Sequence, residues 1–133
     1  MQFGHAGTFP ATRLRRLRQS DWLRRLVAET LLSPADLVWP IFVHGHSETA
    51  AVPSMPGVDR LPVDGCVEAA TRARDLGIPA IAIFPVTDPS DKSEDGRHAC
   101  DPDNLACRTV RAIRRRHGDS IGLICDVALD PYT

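Results

Sequence analysis

Ile121-Gly122-Leu123-Ile124-Cys125-Asp126-Val127-Ala128-Leu129-Asp130-Pro131-Tyr132-Thr133 is the stretch whose reading decides the fold class. Residues 121–129 are apolar enough to be buried on both faces, the pattern of a strand inside a parallel sheet covered by helices. An Asp inside such a strand must be paired, solvated in a cleft or functional, because a lone buried carboxylate is costly. Side chains alternate along a strand, so Asp126, Ala128 and Asp130 are expected on one face, with Pro131 ending regular pairing where the second Asp emerges. Asp126 and Asp130 are therefore the first candidates for an active site.

Working back from this stretch, Gly118 closes a helix whose stripe is Ala106, Val110 and Ile113, and Arg114, Arg115 and Arg116 meet its negative end. Asp101-Pro102 supplies its cap and a proline suited to the first turn. Residues 87–100 are polar and form a longer connection than a βα loop needs, which marks them as a functional loop. Pro79–Val86 is a second buried strand. Before it, Asp64 is expected to cap a helix with Cys66, Ala70, Ala73 and Leu76 on one stripe, ended by Gly77. Residues 44–62 read as a loop, and Leu37–Val43 as the first strand, with Pro40 at a bulge or an end. Ser20 is expected to cap a helix with Leu23, Leu26, Val27 and Leu31 inward and Arg24, Arg25 and Glu29 outward, running until Pro34. Residues 1–19 lack a complete apolar face and read as an extended arm.

Strand, helix, strand, helix, strand with continuous apolar strands means parallel, right-handed βαβ units, which open both the (β/α)8 barrel and the doubly wound sheet. No glycine-rich phosphate loop follows the first or second strand, which lowers the nucleotide-binding reading. In a barrel, chemistry lies at the carboxyl ends of the strands, where His44, Thr87 and Asp130 are expected. The chain has 133 residues, whereas a whole barrel needs about 250. The strand and helix pattern alone leaves barrel and doubly wound sheet open; read as a barrel, and with Met1 taken as the amino end, the chain is the amino-terminal part of one, arm 1–19 and barrel segment 20–133, stopping after the third main strand.

Composition excludes several function classes. With 43% hydrophobic and 25% charged residues and a net charge of −1, the chain is of the soluble globular type, with no global pull to nucleic acid or membrane. No apolar run approaches the roughly 20 residues of a membrane span and no signal-peptide core follows the first charges, which points to a cytoplasmic location. The arginines at 13, 15, 16, 18, 24 and 25 come with no aromatic platform, so a solvated arm or a subunit contact is the better reading than nucleic acid. Cys66, Cys100, Cys107 and Cys125 form no C-x-x-C pair and read as reduced packing thiols. His44-Gly45-His46 lacks a third ligand and reads as solvated, as does the single lysine, Lys92, among Asp91, Glu94 and Asp95.

DVALDPYT at 126–133 resembles the metal-site strand of the porphobilinogen synthase (5-aminolaevulinate dehydratase) family. The likeness runs back through RLRRLR and SDWLRRLVAE, DLVWPIFV, SMPGV at 54–58, LGIPAIAIFPV, and KSEDG followed by DPDNLACRTVRAIR, covering about residues 12–133. It implies a TIM barrel and a lyase that condenses two molecules of 5-aminolaevulinate to porphobilinogen with loss of water, in tetrapyrrole synthesis. It also implies an arm that embraces a neighbouring barrel and helps build octamers. The family's Schiff-base lysines would lie outside this segment, so the chain alone is expected to be inactive. Some members hold a catalytic zinc through cysteines in this strand; here Ala128 and Asp130 stand at two of those positions, and alanine coordinates nothing. The sequence is similar to the aspartate-containing, magnesium-responsive group, with a catalytic zinc disfavoured. On an extended strand Asp126 and Asp130 would be about 13 Å apart, too far to share one ion, so they read as polar residues contacting substrate, water or a partner base. The alternative is a non-catalytic half-barrel fragment that binds partners or associates with itself.

Overall fold

The computed structural model describes residues 7–13 and 15–133, so the parts of the expected arm at 1–6 and 14 lie outside the described residues. The chain divides between Leu32 and Ser33, placing the first helix with the arm; the sequence reading puts that boundary at residue 20. In the first unit the described arm is not wholly extended: Thr12 N–H bonds Thr8 O at 3.0 Å, and Arg16–Arg18 is a turn of 3-10 helix. Helix α1 (Asp21–Leu26) follows Ser20, whose side chain makes no capping bond, and Asp21 pairs with Arg24. The helix ends at Leu26, eight residues before Pro34, not at it. β-Branched Val27 and Thr30 lower the propensity to continue, and Trp22, Leu26, Leu31 and Leu32 remain exposed, so no packing offsets the cost of extending so short a helix.

The second unit is built on strand β1 (Val38–His44), the short β2 (Ala50–Ala51) and β3 (Asp59–Leu61), helix α2 (Val63–Asp75), strand β4 (Ala80–Val86), helix α3 (Leu105–His117) and strand β5 (Gly122–Cys125). Its five-stranded sheet has the order β2-β3-β1-β4-β5, parallel except where β2 meets β3. β2 and β3 lie inside the segment expected to be a loop. At two and three residues they are too short to carry a strand pattern, and they exist because β3 adds to the free side of β1 at Phe42 and Val43. β1 and β4 pair in unbroken register from Val38↔Ala80 to His44↔Val86, so Pro40 is neither at a bulge nor at an end. At the level of Pro40 β1 has a strand on one side only, which is where a residue without an N–H is tolerated.

Both helices cover the same face. Ile41 and Val43 of β1, Ile81 and Ile83 of β4 and Ile121 form one core with Cys66, Ala69, Ala70 and Ala73 of α2 and Leu105 and Ile113 of α3. The main strands succeed one another in sequence order, β1-β4-β5, with α2 and α3 on one side, the winding that starts a barrel. The helices are tied through buried His117, whose Nε2 lies 3.1 Å from Thr71 Oγ1 and 3.3 Å from Val67 O. Arg74 can only donate to Nδ1 at 3.5 Å, which leaves the proton of the neutral ring on Nε2.

The local signals differ in detail from the sequence reading. Pro62 precedes α2 as its cap residue, and Asp64 sits in the first turn, where its charge meets the positive helix end. Gly77 ends α2 with φ +79°, and Ile78 N–H returns to Ala73 O at 2.9 Å, a closure that the left-handed glycine permits. α3 is capped by Asn104, whose Oδ1 accepts from Cys107 N–H at 2.9 Å; Asp101 closes the preceding turn instead, through Asp103 N–H at 2.8 Å. β5 stops at Cys125, well short of Leu129, so Asp126, Ala128 and Asp130 do not share a strand face. Nor is β5 buried on both faces: it is an edge of the sheet, and within the second unit no described element packs on the side away from the helices. Val38, Phe84 and Ile124 are exposed on that side, and Phe42 meets Phe84 with ring centroids 6.0 Å apart.

A sheet with an uncovered apolar face and open edges offers a template to another copy. Sedimentation of the dilute chain is expected to show oligomers or aggregates, with a broad thermal melt; a clean monomer melting in one sharp transition would contradict this.

Candidate functional site

Because β1 and β4 are parallel and in register, their carboxyl ends reach one rim, where β1 finishes in His44 and β4 in Val86-Thr87. A cleft of about 510 Å³ opens there, lined among others by His44, His46, Arg60, Thr87, Asp88 and Arg108. His44 is only 5% exposed and its Nε2 has no hydrogen-bond partner; Thr87 Oγ1 is also buried and unpartnered. An unmade buried hydrogen bond costs about 1–3 kcal/mol, so paired orphans on one cleft point to a site kept for a guest. His44 therefore departs from the solvated reading of His44-Gly45-His46, while His46 is exposed and stands edge-on to it at 5.3 Å between ring centroids. Of the three positions expected at the strand ends, the structure brings His44 and Thr87 to this cleft and leaves Asp130 out of it.

The acidic groups of the rim are largely committed. Asp88 Oδ1 accepts from Ser90 N–H at 2.9 Å and Ser90 Oγ at 2.7 Å, and these bonds, helped by His46, hold its carboxyl below the usual carboxylate range. His98 lies between Asp91 and Asp101, at 3.9 Å and 3.7 Å, with its ring against buried Tyr132. Burial, and then the neighbouring Cys107 and Cys125 thiols, push the Tyr132 hydroxyl up. The last residues fold back over the 87–100 connection: Ser93 N–H donates to Tyr132 O at 3.0 Å, and Lys92 Nζ to Thr133 O at 3.3 Å.

Asp126 belongs to a second cavity of about 420 Å³, together with Cys100, Cys107, Cys125, Ala128 and Leu129. It is exposed and makes no hydrogen bond or ion pair among the described residues, so it is solvated rather than trapped in a buried strand. Asp130 is exposed at the start of a 3-10 turn, Asp130–Tyr132. Burial and Cys107 raise the Cys125 thiol. Among the described residues no group of three or more His, Cys, Asp or Glu side chains is placed to hold a metal ion. Ala128 offers no donor, so the residues of this segment do not fit a thiolate zinc centre. Arg60 and Arg108 were hidden in the sequence, one in a presumed loop and one on the outer side of a helix; only the β1-β3 pairing and the α3 docking bring them together.

The comparisons settle the lineage. The family model described as delta-aminolevulinic acid dehydratase matches residues 11–133. The chain belongs to this family. It is 51% identical over 124 residues to the Bradyrhizobium diazoefficiens dehydratase, a match covering 92% of this chain and 35% of that protein. Against the Rhodobacter capsulatus dehydratase identity is 40% over 125 residues, with coverages of 93% and 37%. The Toxoplasma gondii dehydratase (porphobilinogen synthase), crystallised with its reaction product porphobilinogen, superposes with a TM-score of 0.81 at 38% identity, covering 92% of this chain and 34% of that one. The chain thus spans about a third of the dehydratases it matches, and its fold is the amino-terminal part of the family's TIM barrel.

Zinc is expected to leave this chain on dialysis, because among the described residues no three His, Cys, Asp or Glu side chains are grouped to hold it and one of the four cysteines, Cys66, is buried. Stoichiometric zinc retained after dialysis and lost in Cys100→Ser/Cys107→Ser would contradict the reading.

Proposed function

We propose that this chain is the opening part of a porphobilinogen synthase, the lyase that condenses two molecules of 5-aminolaevulinate to porphobilinogen with loss of water in tetrapyrrole biosynthesis. The observation that carries the reading is the family match over residues 11–133, which includes the Asp126–Thr133 segment just beyond the carboxyl end of β5. That end of the sheet is where barrel enzymes place their chemistry. Asp126, solvated at the cavity mouth, is suited to hold or pass a proton beside a bound substrate; Asp130, a turn away, is assigned a supporting polar role. Amine nucleophiles for Schiff bases must come from outside these residues, since Lys92 is bonded to Thr133 O on an exposed loop.

The same reading assigns magnesium rather than zinc to the assembled protein, but no step is routed through a metal held by this chain. It assigns a cytoplasmic location; among the described residues no helix is long and apolar enough to cross a membrane. It assigns homo-oligomers formed through the arm, and neither nucleic acid nor membrane as partner. A second reading, a non-catalytic self-associating half-barrel, is favoured by the exposed Val38, Phe84 and Ile124 face.

Two measurements test the reading. Borohydride added to the isolated chain with 5-aminolaevulinate is expected to leave its mass unchanged; a stable adduct on Lys92 would overturn the assignment of the lysines. Mixed with the remaining two-thirds of the Bradyrhizobium diazoefficiens relative, the chain is expected to yield porphobilinogen, and Asp126→Asn to lower kcat by about 10²-fold. A soluble mixed complex without activity would favour the half-barrel reading.

A further inference from the structure

Arg60 on β3 and Arg108 on α3 line the same cleft as the orphaned His44 Nε2 and Thr87 Oγ1. Arg24, Arg74, Arg97, Arg111 and Arg114 each meet a carboxylate, whereas several exposed arginines such as Arg72, Arg115 and Arg116 meet none among the described residues. Arg60 and Arg108 meet none among the described residues, although three carboxylates, Glu48, Asp88 and Asp91, line the cleft with them. Asp88 is turned to Ser90, and Asp91 lies beside His98. The cleft therefore holds uncommitted groups of both kinds, two guanidiniums whose forks suit planar oxyanions and two buried side-chain atoms with unmade hydrogen bonds. His44 donates when the proton is on Nε2, and Thr87 donates through its hydroxyl.

We infer that this cleft is a binding site for the carboxylate of a small molecule, held by Arg60 and Arg108 with hydrogen bonds from His44 and Thr87. The nearby Glu48, Asp88 and Asp91 select the charge of the guest. They repel a phosphate dianion more than a monoanionic carboxylate, and since the two arginines offset only two of the three acidic charges, the guest is held by directed hydrogen bonds rather than by net charge. Neither Asp126 nor Asp130 lines the cleft, so the inference does not rest on the synthase reading.

Saturation-transfer NMR on acetate added to the chain tests it, because the method reads weak binding in monomers and oligomers alike. Transfer to the acetate methyl is expected in the wild type and in the control Arg115→Gln. It should be about tenfold weaker in Arg60→Gln/Arg108→Gln, the effect of removing charge-assisted hydrogen bonds. Arg108→Gln, at an exposed position, keeps the test alive if the double variant misfolds. His44→Leu is expected to lose transfer while the far-UV circular dichroism is unchanged, since the leucine removes an orphan without opening a hole. No transfer in the wild type, or equal transfer in the arginine variants, would overturn the inference. Phosphate displacing acetate at lower concentration than propionate does would overturn the carboxylate assignment.

Discussion

The contact on which the rest of the structure depends is that of Ile41, Val43, Ile81 and Ile83 with the small side chains of α2, Cys66, Ala69, Ala70 and Ala73. Each buried isoleucine contributes about 1.5–3 kcal/mol of transfer free energy. The alanines let the helix backbone come close enough to the sheet for that burial to be complete. Cys66 shows how dry the contact is: burial pushes its thiol up to about 12. α3 extends the same layer through Leu105 and Ile113, and His117 locks it to α2 through Thr71 and Val67.

From that one-sided core two consequences follow. The strands are held parallel and in register, so His44 and Thr87 are delivered to one rim, where they meet Arg60 and Arg108 in the cleft. On the opposite face Phe42 meets Phe84, and Phe84 and Ile124 are exposed among the described residues. In the family's closed barrel such a face is filled by layers of side chains from all the strands. The fold thus carries the wall and part of the rim of a barrel, and its uncovered apolar side is the physical counterpart of spanning about a third of its relatives.

Elements that enter the core were legible in the sequence. Cys66, Ala70 and Ala73 at helical spacing, Ile81 and Ile83 at strand spacing, and Gly77 and Gly118 as stops correspond to α2, β4 and the ends of α2 and α3. Features set by neighbours were not. β2 and β3 form only because β1 has a free side, α1 stops short because its apolar stripe gains no cover among the described residues, and β5 ends at Cys125 because it lies at the sheet edge. The same limit applies to the site. His44 and Thr87 could be placed at strand ends from the pattern alone, but the isolation of His44 Nε2 and the convergence of Arg60 with Arg108 are tertiary facts. Asp126 was singled out for being buried in a strand, and the structure leaves it solvated beyond the end of one.

The claim that the core lies on one face of the sheet is tested most directly by adding the same bulk to each face and following urea unfolding by far-UV circular dichroism. Ala70 is wholly buried between α2 and the sheet, whereas Ala82 lies on the uncovered side between Pro40 and Ile124. Ala70→Leu is predicted to lower stability by about 1–3 kcal/mol through overpacking, and Ala82→Leu to leave the urea midpoint within error. A tolerated Ala70→Leu together with a destabilising Ala82→Leu would contradict the account.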